Sequence, residues 1–566
     1  MMLKREAIES SPSRWRKWMR AGVSALGLAA ASVSLAVGCL DRPVTPQEPN
    51  TSNLYVAEIR QTAVDKIDLL FMIDNSISMA DKQEILREAV PVLVQRLVTP
   101  VCIGNNGQPT GNTNANGQCA NGEPEFTPIK DIHIGIVTSS LGAHGGDICT
   151  GTGMGNPTED DRGYPLGKVR NIAGWNNTGF LAWDPDARNP NDARNDPPGE
   201  PDQMRLVMQF QDMVSASGEV GCGYEASLEA WYRFLVDPHP PTRVFRGATE
   251  LTETEYPNQE LLTLRNQFLR KDSLVAIIML TDENDCSIID EAQGWLVGAT
   301  SYGNSTFRMP RSTSACATDP NSKCCTSCAV QGAAEPGCTA PAQDASCMMP
   351  AYTAEQDHLN LRCYKQRMRF GLDLLYPVSR YVRALTEPTV VGRDGSIQPN
   401  PLITSDRDKS LVFLAGIVGV PWQDIATPDT VNSDNSLEYM TYEELAQNNR
   451  FDWLLGTNGG LPRDPLMFET PEDRTKVAGL SQTHPVTMEP LVAAGPGPAS
   501  NSINGKESTI ADGSDLQYAC IFPLGTPRMN CADTQNNCDC RPIDNKYNRA
   551  LCNGNTQTHA KAYPGT

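Results

Sequence analysis

Residues 68–79, Asp-Leu-Leu-Phe-Met-Ile-Asp-Asn-Ser-Ile-Ser-Met, decide how this chain is read. Asp68 to Ile73 (DLLFMI) is an almost continuous apolar run that stops at a polar cluster, Asp74-Asn75-Ser76-Ile77-Ser78. A strand buried on both faces has this composition, whereas a half-exposed strand alternates apolar and polar residues. A helical pattern follows: Ile85, Ala89, Leu93 and Leu97 recur every four residues, with Leu86 and Val90 beside them. Pro91 is expected to kink this helix or split it, because its ring removes an N–H and crowds the preceding turn. Three more apolar runs repeat the theme. Ile132 to Val137 (IHIGIV) leads into Thr138-Ser139-Ser140, and Leu274 to Leu280 (LVAIIML) leads into Thr281-Asp282-Glu283. Leu411 to Val418 (LVFLAGIV) follows a helix-like stretch from Arg367 to Leu385. Strands alternating with helices predict the α/β class, with a mostly parallel sheet flanked by helices and right-handed crossovers. Such sheets place their sites at the carboxyl ends of strands, where both the DNSIS and the TDE clusters fall.

The 566 residues are enough for two or three units. Acidic residues outnumber basic ones 67 to 47, a net charge of −20 that repels phosphate backbones and argues against nucleic-acid partners. High Gly (45) and Pro (42) predict many turns and long connections. Segments 101–128 and 141–203 are polar, turn-rich insertions. Within the second, the oxygen-rich run from Asp184 to Asp196 (DPDARNPNDARND) lacks the spacing and terminal Glu of a calcium loop and reads as a polar loop.

Eighteen cysteines without zinc spacing point to disulfides and an oxidising compartment. Eight fall in 286–363, a Cys-rich insertion, and five more in 426–566. Cys324-Cys325-x-x-Cys328 contains a CxxC but has neither a second ligand pair nor a thioredoxin-like context, so disulfides are expected there.

The first 38 residues have the layout of an export signal: a basic stretch (Lys4 to Arg20), then an apolar run from Ala21 to Val37 that is short for a membrane span. The run ends Leu35-Ala36-Val37-Gly38-Cys39, which resembles a bacterial lipobox. That resemblance implies that Cys39 is lipidated and tethers the chain to the cell envelope, at the outer membrane or cell surface; an uncleaved signal anchor is the alternative. Residues 39–65 then form a Pro-rich, polar tether.

A tight loop presenting one carboxylate and two hydroxyls after a buried strand offers hard oxygen ligands and little charge. Mg²⁺ favours such a set, because it keeps several waters and uses only one or two carboxylates. LLFMIDNSISM followed by a helix, with LVAIIMLTDENDCS later, resembles the von Willebrand factor type A (VWA) domain and its metal-ion-dependent adhesion site. The resemblance implies a Rossmann-like VWA fold over 66–425, a divalent cation (Mg²⁺, with Ca²⁺ or Mn²⁺ as alternatives) and no catalysis. It also implies binding of a protein or cell-surface ligand that bears a carboxylate. Carried over by position, the metal ligands are Asp74, Ser76, Ser78 and Asp282. The family's remaining ligand is a threonine, and its counterpart lies in Gly221-Cys222-Gly223-Tyr224-Glu225, with Cys222 at or near the threonine position. A bridged Cys222 leaves the site a ligand short, with Glu225 as a substitute. The second reading is therefore a structural envelope lipoprotein that keeps the scaffold around a degenerate metal site.

Six histidines form no HExxH, and GxSxG, GxGxxG and GxxxxGK[ST] are absent. The sequence thus predicts a binding protein rather than an enzyme.

Overall fold

A computed structural model describes residues 66–491 and 515–516, apart from 77–78, 115–116, 152–155, 173–177, 186–198, 331, 333, 432–437, 458–459, 484 and 486–490. The expected export signal at 1–38, Cys39, the tether up to residue 65, Ser78 and the cysteines after residue 500 lie outside the described residues, as does most of the run from Asp184 to Asp196. Among the described residues no helix is long and apolar enough to cross a membrane.

The chain is mixed α/β, with a central sheet of five strands: β1 (Lys66–Ile73), β2 (Asp131–Thr138), β3 (Leu181–Trp183), β4 (Leu274–Leu280) and β5 (Val412–Ile417). Their order is β5-β4-β1-β2-β3. All pairs are parallel except β2–β3. Sequence reading missed β3, because Leu-Ala-Trp is a brief apolar island in a polar insertion. β1 is central, and the chain proceeds to β2 on one side and later to β4 on the other. This reversal opens a crevice at the carboxyl end of β1.

The strict alternation of β1 feeds two cores. Ile67, Leu69, Phe71 and Ile73 pack under α1 (Ala80–Val98) and α2 (Gln203–Ser215). Leu70 and Met72 pack on the opposite face, under α3 (Ser227–Leu235), α4 (Gln259–Phe268) and α5 (Ser379–Thr386). α1 presents Leu86, Val90 and Val94 to the sheet and leaves Ile85 exposed, one residue out of phase with the expected stripe. Pro91 does not split α1. The carbonyl its ring leaves without a helical donor, that of Arg87, accepts a hydrogen bond from Gln211 Nε2 of α2 at 3.0 Å. The expected single helix from Arg367 to Leu385 is instead two, Gln366–Phe370 and α5. Gly371 ends the first with φ +67, and a Cβ there would lie 2.2 Å from the Thr326 carbonyl carbon.

Among the described residues six disulfides staple the insertions. Cys286–Cys363 joins the two ends of the expected Cys-rich excursion, and Cys316–Cys325, Cys324–Cys338 and Cys328–Cys347 lie within it. Cys102–Cys119 closes the first polar insertion, and Cys149–Cys222 joins the second to the segment before α3. On either side of the expected 425/426 boundary the chain is hydrogen-bonded to itself: Met440 N donates to Ile425 O (2.9 Å) and Thr427 N to Glu438 O (2.8 Å).

The amino edge of the sheet is neutralised from within. Arg270, just after α4, donates to Asp68 through Nε (2.8 Å) and its backbone N (2.8 Å), and its guanidinium also pairs with Asp131. Ser273 Oγ donates to Asp68 as well. His133 lies between Phe180 and Phe268 with Nδ1 2.7 Å from Phe268 O. Burial, then the nearby Arg270 charge, push its imidazole down to about 4.

Candidate functional site

Strand register builds the site at the opposite, carboxyl edge. Ile73 is level with Thr138 on one side and Leu280 on the other. The next residues, Asp74, Ser139 and Thr281, therefore emerge in one row. Asp74 N donates to Leu280 O (2.9 Å) and Ser139 N to Ile73 O (3.2 Å), so the ladders carry the row one step past the strands. Thr281 Oγ1 donates to Asp74 Oδ2 (2.8 Å). Ser76 N (2.8 Å) and Ser139 Oγ (3.3 Å) donate to Oδ1. Among the described residues, the fully buried carboxylate of Asp74 is thus held by neutral donors.

The loops around it are fastened to the same edge. Gln83 Nε2, on α1, bridges Asp74 O and Gly218 O at 2.9 Å each. Asn75 Oδ1 accepts from Ser140 Oγ (2.8 Å), Asn75 O accepts from Gly221 N (2.8 Å), and Ser140 Oγ accepts from Cys222 N (2.9 Å). Gly221 is required by this closeness: a Cβ there would lie 2.4 Å from Asn75 Oδ1. Glu225 is held by its backbone, with Ala226 N donating to Ser139 O (2.9 Å) and Cys286 N to Glu225 O (2.7 Å).

Four carboxyl groups converge electrostatically on this edge. Burial first, and then the charge of Asp282, push Asp74 up to about 6. Glu225, also buried, is raised well above the carboxylate range by desolvation, then by Glu283, Asp74 and Asp282. Glu283 is raised by desolvation, then by Asp282 and Asp74, although its side chain keeps contact with solvent, which moderates the effect. Asp282 pairs with Lys82 at the start of α1 (2.8 Å). Among the described residues no basic side chain forms an ion pair with Asp74 or Glu225.

Of the residues expected from sequence, Asp74, Ser76 and Asp282 meet at this edge, while Ser78 lies outside the described residues. Cys222 is bonded to Cys149, so its sulfur offers no thiolate ligand. Glu225 stands among the acids that raise one another. Sequence reading missed Ser139 and Thr281 as partners of Asp74. The available signal was the hydroxyl residue closing each neighbouring apolar run, which becomes informative only once strand register is known. No group of three or more His, Cys, Asp or Glu side chains with metal-holding geometry occurs among the described residues. The donor set around Asp74 is instead one carboxylate amid hydroxyls, with further carboxylates within electrostatic reach. That chemistry fits a hard divalent cation that keeps part of its water shell. The chain matches no family model, no curated protein and no solved structure.

Proposed function

We propose that the chain is an exported, lipid-anchored binding protein whose VWA-like unit, residues 66–425, engages an acidic group on a protein or surface partner through a divalent cation. The observation that carries this reading is the fully buried Asp74 carboxylate, held by Ser76, Ser139 and Thr281 and raised by Asp282. Clustered buried acids are unfavourable without a counter-charge, and a cation relieves several of them at once. Asp74, Ser76, Ser78 and Asp282 hold the ion, with Glu225 in place of the family's threonine. A bound cation supplies a Lewis-acidic position open to a partner's carboxylate. Asp282 must leave Lys82 to contribute fully, which couples ion binding to the start of α1. The sheet order and the crevice at the carboxyl end of β1 support the Rossmann-like part of the reading. The six disulfides support export to an oxidising compartment.

The scaffold reading is favoured by one observation, the Cys149–Cys222 disulfide where the resemblance places a ligand. Calorimetric titration of the purified chain with Mg²⁺, Mn²⁺ and Ca²⁺ separates the two. Heat with at least one ion, lost in Asp74→Ala without change in the far-ultraviolet spectrum, supports cation-mediated binding. No heat with any ion leaves the scaffold. The anchor has its own test: Cys39→Ala moves the protein from the membrane to the soluble fraction of the producing cell, and unchanged fractionation rules the lipid out.

A further inference from the structure

Two short helices in the segment after β5, Trp422–Ile425 and Arg450–Leu455, pack against each other and bury polar groups that the fold does not satisfy. Gln423, on the first, is 6% exposed, and neither its Oε1 nor its Nε2 has a hydrogen-bond partner. Arg450, which opens the second, is 8% exposed, and its Nε is equally unpartnered. Among the described residues Arg450 forms no ion pair; its guanidinium carbon lies 3.7 Å from the centre of the Trp453 ring. Arg233 and Arg362, buried likewise, each hold a carboxylate, Asp290 and Asp357. The acid whose charge acts on Arg450 is Asp424, beside Gln423, and Asp424 is already paired with Arg463. Arg463 N donates to Trp453 O (2.7 Å), and its guanidinium carbon lies 4.3 Å from the centre of the same ring. Two guanidinium groups therefore share one indole and the charge of one carboxylate. Buried polar groups are normally bonded, and a buried cation is normally paired, so this pair of helices stands a partner short.

We propose that Arg450 and Gln423 form a binding site for a small organic acid whose carboxylate meets Arg450 and whose neighbouring hydroxyl or amide N–H donates to Gln423 Oε1. The chemistry of the two side chains sets these terms. A guanidinium offers donors alone and a positive charge, so its natural complement is an anion. A carboxamide both donates and accepts, so the same ligand must present an acceptor to Gln423 Nε2 and a donor to Oε1. A halide or sulfate satisfies Arg450 and leaves Oε1 orphaned. A carboxylate with a hydroxyl or an amide N–H on the next carbon satisfies all three groups. α-Hydroxy acids and N-acylated amino acids, the second including the end of a peptide, share that arrangement. Trp453 and Arg463 are half-buried, which puts the way in on their side. None of these residues belongs to the Asp74 site, and the binding needs no divalent cation.

Ligand-observed nuclear magnetic resonance titration of the full chain with lactate, N-acetylglycine and acetate, at constant ionic strength and with a chelator present, tests this. At least one of lactate and N-acetylglycine binds about tenfold tighter than acetate, and the tighter of the two tells a hydroxy acid from a peptide-like acid. Gln423→Leu brings that ratio to about one while acetate still binds. Arg450→Met weakens all three by about a hundredfold or more. Without ligand, Arg450→Met melts no lower than the unaltered chain, because it removes a buried charge that has no ion pair. Three results overturn the proposal: no binding of any of the three, which leaves the orphaned groups to water; acetate binding as tightly as the other two, which makes Arg450 a general anion site; or a preference that survives Gln423→Leu and Arg450→Met, which places the binding elsewhere.

Discussion

Asp68, at the amino end of β1, and Asp74, just past its carboxyl end, are both fully buried, yet the chain treats them differently. Asp68 has an arginine from the same fold: Arg270 reaches it through side chain and backbone and spans to Asp131. Among the described residues the Asp74 carboxylate is held by Ser76, Ser139 and Thr281, and the charge that acts on it is that of another acid, Asp282. A fold that needs a buried carboxylate for its own stability supplies the counter-charge itself, as at the amino edge. A buried carboxylate left to neutral donors beside like charges carries an unrelieved cost, which the cation proposed above would offset.

The largest effect should come from breaking the amino-edge pairing. Arg270→Ala leaves Asp68 and Asp131 buried without their cation and should destabilise the chain by about 3–5 kcal/mol, read from the denaturant midpoint. Divalent cations should not restore it; restoration would erase the contrast between the two ends. The acid side of the comparison comes next. His133 is held down at about 4, so the unfolded chain binds a proton that the native chain refuses between about 6.5 and 4. Its contribution is intact above pH 6.5 and is lost as pH falls through that window, about 3 kcal/mol in all. His133→Gln should flatten this loss in the pH dependence of urea unfolding, and an unchanged slope would remove His133 as its source.

Asp74 has the opposite sign. Its folded value is pushed up to about 6 from 3.8, so the native state binds the extra proton, and stability is lost as pH rises through that window. Without cation, Asp74→Asn should therefore be more stable than the unaltered chain by up to about 3 kcal/mol at pH 7 and by almost nothing at pH 4. A destabilised Asp74→Asn at pH 7 would mean that the site is already balanced within the chain. The smallest effect concerns the helix that carries Lys82. Gln211→Ala leaves the Arg87 carbonyl under Pro91 without its donor and should cost about 1 kcal/mol in thermal or chemical unfolding, leaving cation binding intact.

Much of the sheet was legible in the sequence, because strands buried on both faces must be apolar along their whole length. DLLFMI, IHIGIV, LVAIIML and LVFLAGIV all became strands of the sheet. The placement of Asp74 and Asp282 was legible too, since polar clusters that end such runs fall at the carboxyl edge. The partners were not. That Ser139 and Thr281 stand level with Asp74 follows from pairing registers across 65 and 207 residues, which local patterns do not encode. Arg270 was equally hidden, because its role depends on the turn after α4 bringing it beneath β1. Pro91 misled for a related reason: the carbonyl it orphans is satisfied by Gln211, 124 residues away. Cysteine number and spacing pointed to disulfides but not to their pairing, which only the folded loops decide.

The most direct test of the central claim is the thermal midpoint of the full chain with and without Mg²⁺, Mn²⁺ or Ca²⁺ at pH 7.5 and pH 5, for the unaltered protein and Asp74→Asn. A cation that needs the ionised Asp74 should raise the midpoint at pH 7.5, lose most of that effect at pH 5 as Asp74 takes up its proton, and leave Asp74→Asn unmoved. An equal rise in both proteins, or none with any of the three ions, would contradict the account.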